Sequence, residues 1–135
     1  MPETSVIVPD KGIRAVKNLS GADIARAVFV SLVAAGQEDP YQVALPAAGA
    51  KILGCTMNGI KNGQIGDVQV EGRTRVLAGA GGIAAGQEVA ATTAGAAVAA
   101  VAGNVIAGVC VRAAAAGQIG EVELGTAIAG RVVPA

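Results

Sequence analysis

Apolar and polar residues alternate with a period of two in several short runs. Val68 and Val70 alternate with Asp67, Gln69 and Glu71, and Val122 and Leu124 alternate with Glu121 and Glu123. Such runs predict strands with one buried and one exposed face. Ahead of the second run, Val105, Ala107, Val109 and Val111 fall on one face of a further strand, and Ile106, Gly108, Cys110 and Arg112 on the other. Ala27-Val28-Phe29-Val30-Ser31-Leu32 reads as another strand. Ala113 to Ala116 carry the best helix former, but so short a run does not nucleate a helix alone. Residues 113–118 are therefore expected to form a hairpin connection, with room for a single helical turn.

An internal repeat organises these strands. At an offset of 54 residues, the segment 48–70 aligns without gaps to 102–124, with nine of 23 positions identical. The shared Gly-Gln-Ile-Gly-acid-Val motif, at Gly63 to Val68 and Gly117 to Val122, is hard to produce from Ala/Gly bias alone. A weaker echo joins Ala34-Ala35-Gly36-Gln37-Glu38 to Ala84-Ala85-Gly86-Gln87-Glu88. Gly-Gln thus begins at 36, 63, 86 and 117. Glycine adopts positive φ without steric penalty, so these positions read as turns. Short strands between regularly spaced turns predict a small all-β domain with pseudo-repeated hairpins. In that register Cys55 aligns with Val109, and Cys110 with Thr56. The cysteines then point to opposite faces of equivalent strands, and no disulfide is expected.

No copy of residues 1–26 appears later in the chain. With Pro2 and Pro9 disfavouring sheet interiors, 1–26 reads as an extended N-terminal arm leading into a domain over 27–135. Ser20 to Ala25 suits a brief turn or helical start. Met1 to Ser5 lack a basic stretch followed by a long apolar one, so no signal peptide is expected.

Composition narrows the chemistry. The 135 residues include 30 alanines and 20 glycines, no histidine and no tryptophan, and Tyr41 and Phe29 are the two aromatics. Without histidine the usual general base near neutral pH is missing, and with it most zinc sites. Ten basic residues balance ten acidic ones, which gives no electrostatic footprint for nucleic acid. Mean hydropathy is +0.57, and little net charge keeps molecules apart. Part of the surface is therefore expected to be covered in an assembly. Val89 to Val111 form an uncharged stretch of 23 residues, long enough to span a bilayer as a helix. Its Ala, Gly, Thr and Asn content provides little insertion energy, so no membrane span is expected.

Candidate active groups fare poorly. Gly79-Ala80-Gly81-Gly82-Ile83-Ala84 fits a loose dinucleotide fingerprint, but Gly86 stands where the following helix should run and no acid stands near 104. A loop between the repeat halves is the expected structure. Serine and cysteine lack histidine partners, and the acids alternate singly along strands. No catalytic, cofactor-binding or metal-binding residue is assigned. In the arm, apolar Val6, Ile7, Val8 and Ile13 and basic Lys11, Arg14 and Lys17 are the candidate contacts to a partner surface.

The Ala-Gly-Gln turns followed by alternating strands resemble the capsid decoration, or cement, proteins of tailed phages. The block Gly103-Asn104-Val105-Ile106-Ala107-Gly108-Val109-Cys110-Val111, then Ala113 to Gly117, then Glu121 to Leu124 carries that likeness most closely, and it extends over residues 27 to 133. The resemblance implies a compact β-barrel or β-tulip domain. It also implies binding as a homotrimer to the major capsid protein on the outside of the virion, with no nucleic acid or membrane partner and no cofactor. The N-terminal arm would then contact the shell or a neighbouring subunit. Other readings are a head fibre base, a tail component, or a lipoyl- or biotinyl-like carrier barrel. A carrier would need a modified lysine at a hairpin tip, where Lys61 is the one candidate, without the usual acidic neighbours.

Overall fold

The computed structural model describes residues 12–33, 41–125 and 131–134, which hold ten strands and no helix. In chain order these are β1 (Ile13–Asn18), β2 (Phe29–Leu32), β3 (Tyr41–Ala44), β4 (Gly54–Thr56), β5 (Ile65–Gln69), β6 (Gly72–Leu77), β7 (Glu88–Ala91), β8 (Ala97–Ala99), β9 (Gly108–Arg112) and β10 (Ile119–Leu124). The first five close into a barrel in the order β1-β3-β2-β4-β5, and the second five form a sheet in the order β6-β10-β9-β7-β8. The chain is a small all-β barrel protein, as the period-two pattern predicts.

The two sets of strands are copies of one unit. β1 pairs antiparallel with β5, Lys17 opposite Ile65, and β6 pairs antiparallel with β10, Leu77 opposite Ile119. Val30 lies opposite Gly54 as Val89 lies opposite Gly108. Leu32 lies opposite Val43 as Ala91 lies opposite Ala97. The connections match as well. Ile24 and Ile60 exchange backbone hydrogen bonds of 2.9 and 2.8 Å, and Ile83 and Ala114 exchange bonds of 2.9 and 3.0 Å in the same place. Gly63 and Gly117 turn the equivalent hairpins at φ 79° and 81°. The repeat seen in sequence, 48–70 against 102–124, is thus the conserved half of a duplication that extends over both units.

Inward-facing valines recur at corresponding places. Val16 and Val76, Val30 and Val89, and Val68 and Val122 are all fully buried. Each such side chain contributes about 1.5–3 kcal/mol by leaving water. Where the copies diverge, polarity is matched locally. Asn18 stands where the second unit has Ala78, since it pairs with Val43 as Ala78 bridges Ala97. Its buried amide donates to the carbonyls of Ala22 and Ile60, both at 2.8 Å, and accepts from Ser20 N–H at 2.8 Å. The closures differ too. β3 runs parallel to β1 through three residue pairs, whereas Ala78 and Ala97 form a single parallel bridge in the second unit.

The units are packed together. Phe29 and Cys55, opposite one another on β2 and β4, point out of the first barrel into the core cluster of the second, with Val76, Val89 and Val122. Backbone bonds cross the same boundary, from Leu77 N–H to the Ala27 carbonyl and from Phe29 N–H to the Gly95 carbonyl, both 2.7 Å.

Three expectations need correction. Ile13–Asn18 is not part of a free arm: it pairs with both β3 and β5 and buries Val16, so the barrel begins near residue 12 rather than at 27. The domain over 27–135 is likewise not one barrel with a repeated hairpin but the larger part of two units. The echo between 34–38 and 84–88 does not mark equivalent places. Residues 34–38 lie outside the described residues, and Gly86 corresponds to Ala27, because each donates its N–H to the equivalent carbonyl, Cys110 and Thr56.

Candidate functional site

Of the seven arm residues, Ile13, Arg14 and Lys17 lie among the described residues, and they are divided between the two faces of β1. Val6, Ile7, Val8 and Lys11 lie outside the described residues. Ile13 and Lys17 share the outward face of β1, and Ile13 is 40% exposed. Arg14 has the opposite parity. Its guanidinium lies over the ring of Tyr41, 5.6 Å from the centroid, and lines a depression at the barrel end with Leu32, Leu53 and Val70. A cation above an aromatic face is attracted by the ring quadrupole, so Arg14 helps to cap the barrel.

The cysteines lie as the repeat predicts. Both are free and buried. Cys110 faces the core of the second unit, in the place of Thr56, whose hydroxyl donates to the Ala25 carbonyl at 2.8 Å. Cys55 points the other way, between the units, and its thiol donates to the Arg75 carbonyl at 3.1 Å. Burial pushes the Cys55 thiol up to about 12, against the smaller opposing effect of a hydrogen bond with Thr74. Burial also raises Cys110, with the Arg112 carbonyl as its hydrogen-bond partner. A thiol held protonated is a poor nucleophile and a poor metal ligand. Among the described residues no three His, Cys, Asp or Glu side chains gather in a group able to hold a metal ion.

The glycine-rich segment after β6 is a turn, not the start of a helix. Gly82 N–H donates to the Gly79 carbonyl at 3.0 Å, and Ile83 then bridges to Ala114. Lys61 is exposed in the connection between β4 and β5, where its carbonyl accepts from Gln64 N–H at 2.9 Å. Val89–Val111 is divided among β7, β8 and β9, and no described helix is long and apolar enough to cross a membrane.

Two surface features among the described residues bear on binding. One is an apolar depression of about 500 Å³ on the first barrel, lined by Leu32, Ile52 and Leu53 with Ser31 and Lys51. The other is a polar cleft of about 240 Å³ at the junction of the units, lined by Arg26, Met57 and Gln69 from the first and by Arg73, Thr74 and Arg75 from the second. Beside it, Glu121 on β10 bridges Arg73 Nε on β6 at 2.5 Å and Arg112 Nη1 on β9 at 3.2 Å. Burial opposes ionisation of Glu121, but the hydrogen bonds and positive charges of Arg112 and Arg73 prevail and hold its carboxyl below the ordinary carboxylate value. The arginines of the cleft were not legible in the sequence, because Arg26 is far in the chain from Arg73 and Arg75 and no spacing links them.

No family model matches the chain, and no curated protein matches it in sequence. Among solved structures the chain is similar to the crystal structure of the head fiber gp8.5 N base of bacteriophage phi29. The likeness covers 84% of this chain and 94% of that one, at 15% sequence identity and a TM-score of 0.67. It extends through both units and places this fold of a barrel and a second five-stranded sheet among those already seen in solved structures.

Proposed function

We propose that this protein is a structural component of a phage virion, bound to the outer surface of the head and acting by adhesion rather than catalysis. The observation that carries the reading is the likeness of the two-unit fold to the base of a phage head fibre. The surface suits such a role. Ile65, Val101 and Val132 are 63%, 61% and 56% exposed, on a chain with no net charge to oppose docking. The two thiols, held protonated by burial, are poor candidates for catalysis.

Within that class two roles are supported. A decoration protein would lie against the major capsid protein and stiffen the shell, and the Ala-Gly-Gln turn pattern favours it. A head fibre base would anchor a further structure, and the fold likeness favours that equally. In either role we expect a homotrimer, since a symmetric assembly multiplies weak contacts. Residues 1–11, with Val6, Ile7, Val8 and Lys11, are the proposed reach toward shell or neighbour.

Imaging of purified particles by cryo-electron microscopy tests this reading. Density of this fold on the head exterior is the expected result, and density at the tail or absence from the particle overturns it. Deletion of residues 1–11 should weaken binding to purified shells. The deletion stops there because Ile13–Asn18 closes the barrel.

A further inference from the structure

We propose that the cleft between the two units is a docking site for an acidic, extended segment of a partner protein, whose carboxylates would engage Arg26 and Arg75 beside two unbonded N–H groups of β6. This proposal stands whether or not the virion reading holds.

Three observations carry it. The first is charge. Arg26, Arg73 and Arg75 all line the cleft. Arg73 is engaged by Glu121. Among the described residues neither Arg26 nor Arg75 has an ion-pair partner. Asp67 shares the outward face of β5 with Gln69 but forms no ion pair with either arginine. A guanidinium presents a planar fork of donors that matches a carboxylate.

The second observation is backbone direction. β6 pairs with β10 alone and lies at the edge of its sheet. In an antiparallel ladder, alternate residues aim their backbone groups toward and away from the partner strand. Leu77 N–H points away from β10, to the Ala27 carbonyl. Arg75 and Arg73 share that parity. Their carbonyls are met from the same side, by the Cys55 thiol at 3.1 Å and by Gln69 Nε2 at 2.8 Å. Their N–H groups therefore also face away from β10, and no described residue accepts from them. These two N–H groups can donate to acceptors of an extended segment lying in the cleft, with side chains setting the specificity.

The third is the comparison between the copies. The place of Arg26-Ala27 in the second unit is held by Ala85-Gly86, that of Thr56-Met57 by Cys110-Val111, and that of Gln69 by Glu123. The duplicated scaffold therefore does not itself call for positive charge there. The basic character is particular to the junction.

The occupant is a protein carboxylate rather than a nucleic acid. A single cleft with two unengaged arginines on a chain of zero net charge lacks the long basic track and stacking aromatics that a nucleic-acid strand requires.

The test is an NMR titration of the full ¹⁵N-labelled chain with a blocked peptide of alternating glutamate and valine. Saturable shifts concentrated at Arg26, Met57, Arg73 and Arg75 are expected. The double variant Arg26→Ala/Arg75→Ala should bind about tenfold more weakly or worse, with an unchanged melting temperature because both side chains are exposed. If that variant is unstable, Arg26→Gln alone should still weaken binding severalfold. Equal binding of a glutamine-for-glutamate peptide overturns the proposal. So do shifts centred elsewhere, or tighter occupation of the cleft by a single-stranded oligonucleotide or by inorganic phosphate.

Discussion

Ala27 and Gly86 occupy the same position in the two units. Each donates its N–H to the equivalent carbonyl, Thr56 at 3.0 Å and Cys110 at 2.7 Å, and each has positive φ, 60° and 84°. Ala27 is the one described non-glycine residue in that region. The second unit thus shows what the turn prefers, and the first tolerates a Cβ there.

The pair makes an asymmetric prediction. At Gly86 an added Cβ meets open space, so Gly86→Ala is penalised by backbone conformation alone. Left-handed backbone costs an L-residue about 1–2 kcal/mol, and the stiffer unfolded chain returns about 0.4–1. Gly86→Ala should therefore destabilise by roughly 0.5–1.5 kcal/mol. Ala27→Gly relieves the same strain but gives up about 0.5–1 kcal/mol of backbone entropy and about 0.8 for a buried methyl. It should come out near neutral. Urea denaturation of both variants checks the contrast, and a large loss for Ala27→Gly would contradict it.

Phe29 should be worth far more than its counterpart. It is fully buried and packed into the core of the other unit, while Glu88, which takes the equivalent place in β7, is only partly buried. Phe29→Ala should cost about 3–5 kcal/mol. Glu88→Ala should stay within about 0.5. Chemical denaturation compares the two directly.

Cys55 should make the protein sensitive to alkali. Its thiol stays protonated in the folded state up to about 12, against an ordinary value of 9.0. Between those values the unfolded chain has released this proton and the folded chain has not, so stability falls as pH rises through that window. Below 9 the effect vanishes. Cys55→Ala should flatten the decline in melting temperature between pH 9 and 11. In the folded protein at pH 8 both thiols should resist alkylation, and the unreduced mass should show no loss of two hydrogens.

Glu121 acts at the other end of the scale. Its carboxyl lies below the ordinary value through Arg112 and Arg73, which prevail over burial. Its contribution is present above the unfolded-state value near 4.5 and is lost as pH falls through the lower folded value. Glu121→Gln should therefore destabilise at pH 7 and converge with the parent in strong acid. Melting curves at pH 7, 4 and 2.5 read this out.

The half of the duplication that sequence reveals is the half with the same loop length in both copies. β4, β5 and their connection align without gaps to β9, β10 and theirs, so Gly63-Gln64-Ile65-Gly66 remains in register with Gly117-Gln118-Ile119-Gly120. Elsewhere the segment between Asn18 and Ile24 is one residue longer than that between Ala78 and Ile83, and this slips the frame. What survives is single buried valines such as Val16 and Val76, a signal that a period-two pattern in a valine-rich chain cannot align. Asn18 against Ala78 and Phe29 against Glu88 hide the kinship further, because the two units bury different things. Ile13–Asn18 reads as an unrepeated arm for the same reason: against its copy, residues 73–78, it retains the single match of Val16 with Val76. The junction cleft was out of reach for a related reason, since Arg26 and Arg75 meet only once the second unit has docked.

β5 ends at Gln69 and β6 begins at Gly72, so only Val70 and Glu71 join the units, and Val70 N–H is still bonded to the Gly12 carbonyl at 2.6 Å. The joint is short and is pinned at its first residue. With Phe29 driven across the boundary, bending between the units would have to draw that ring out of the second core and break the Leu77–Ala27 and Phe29–Gly95 backbone bonds.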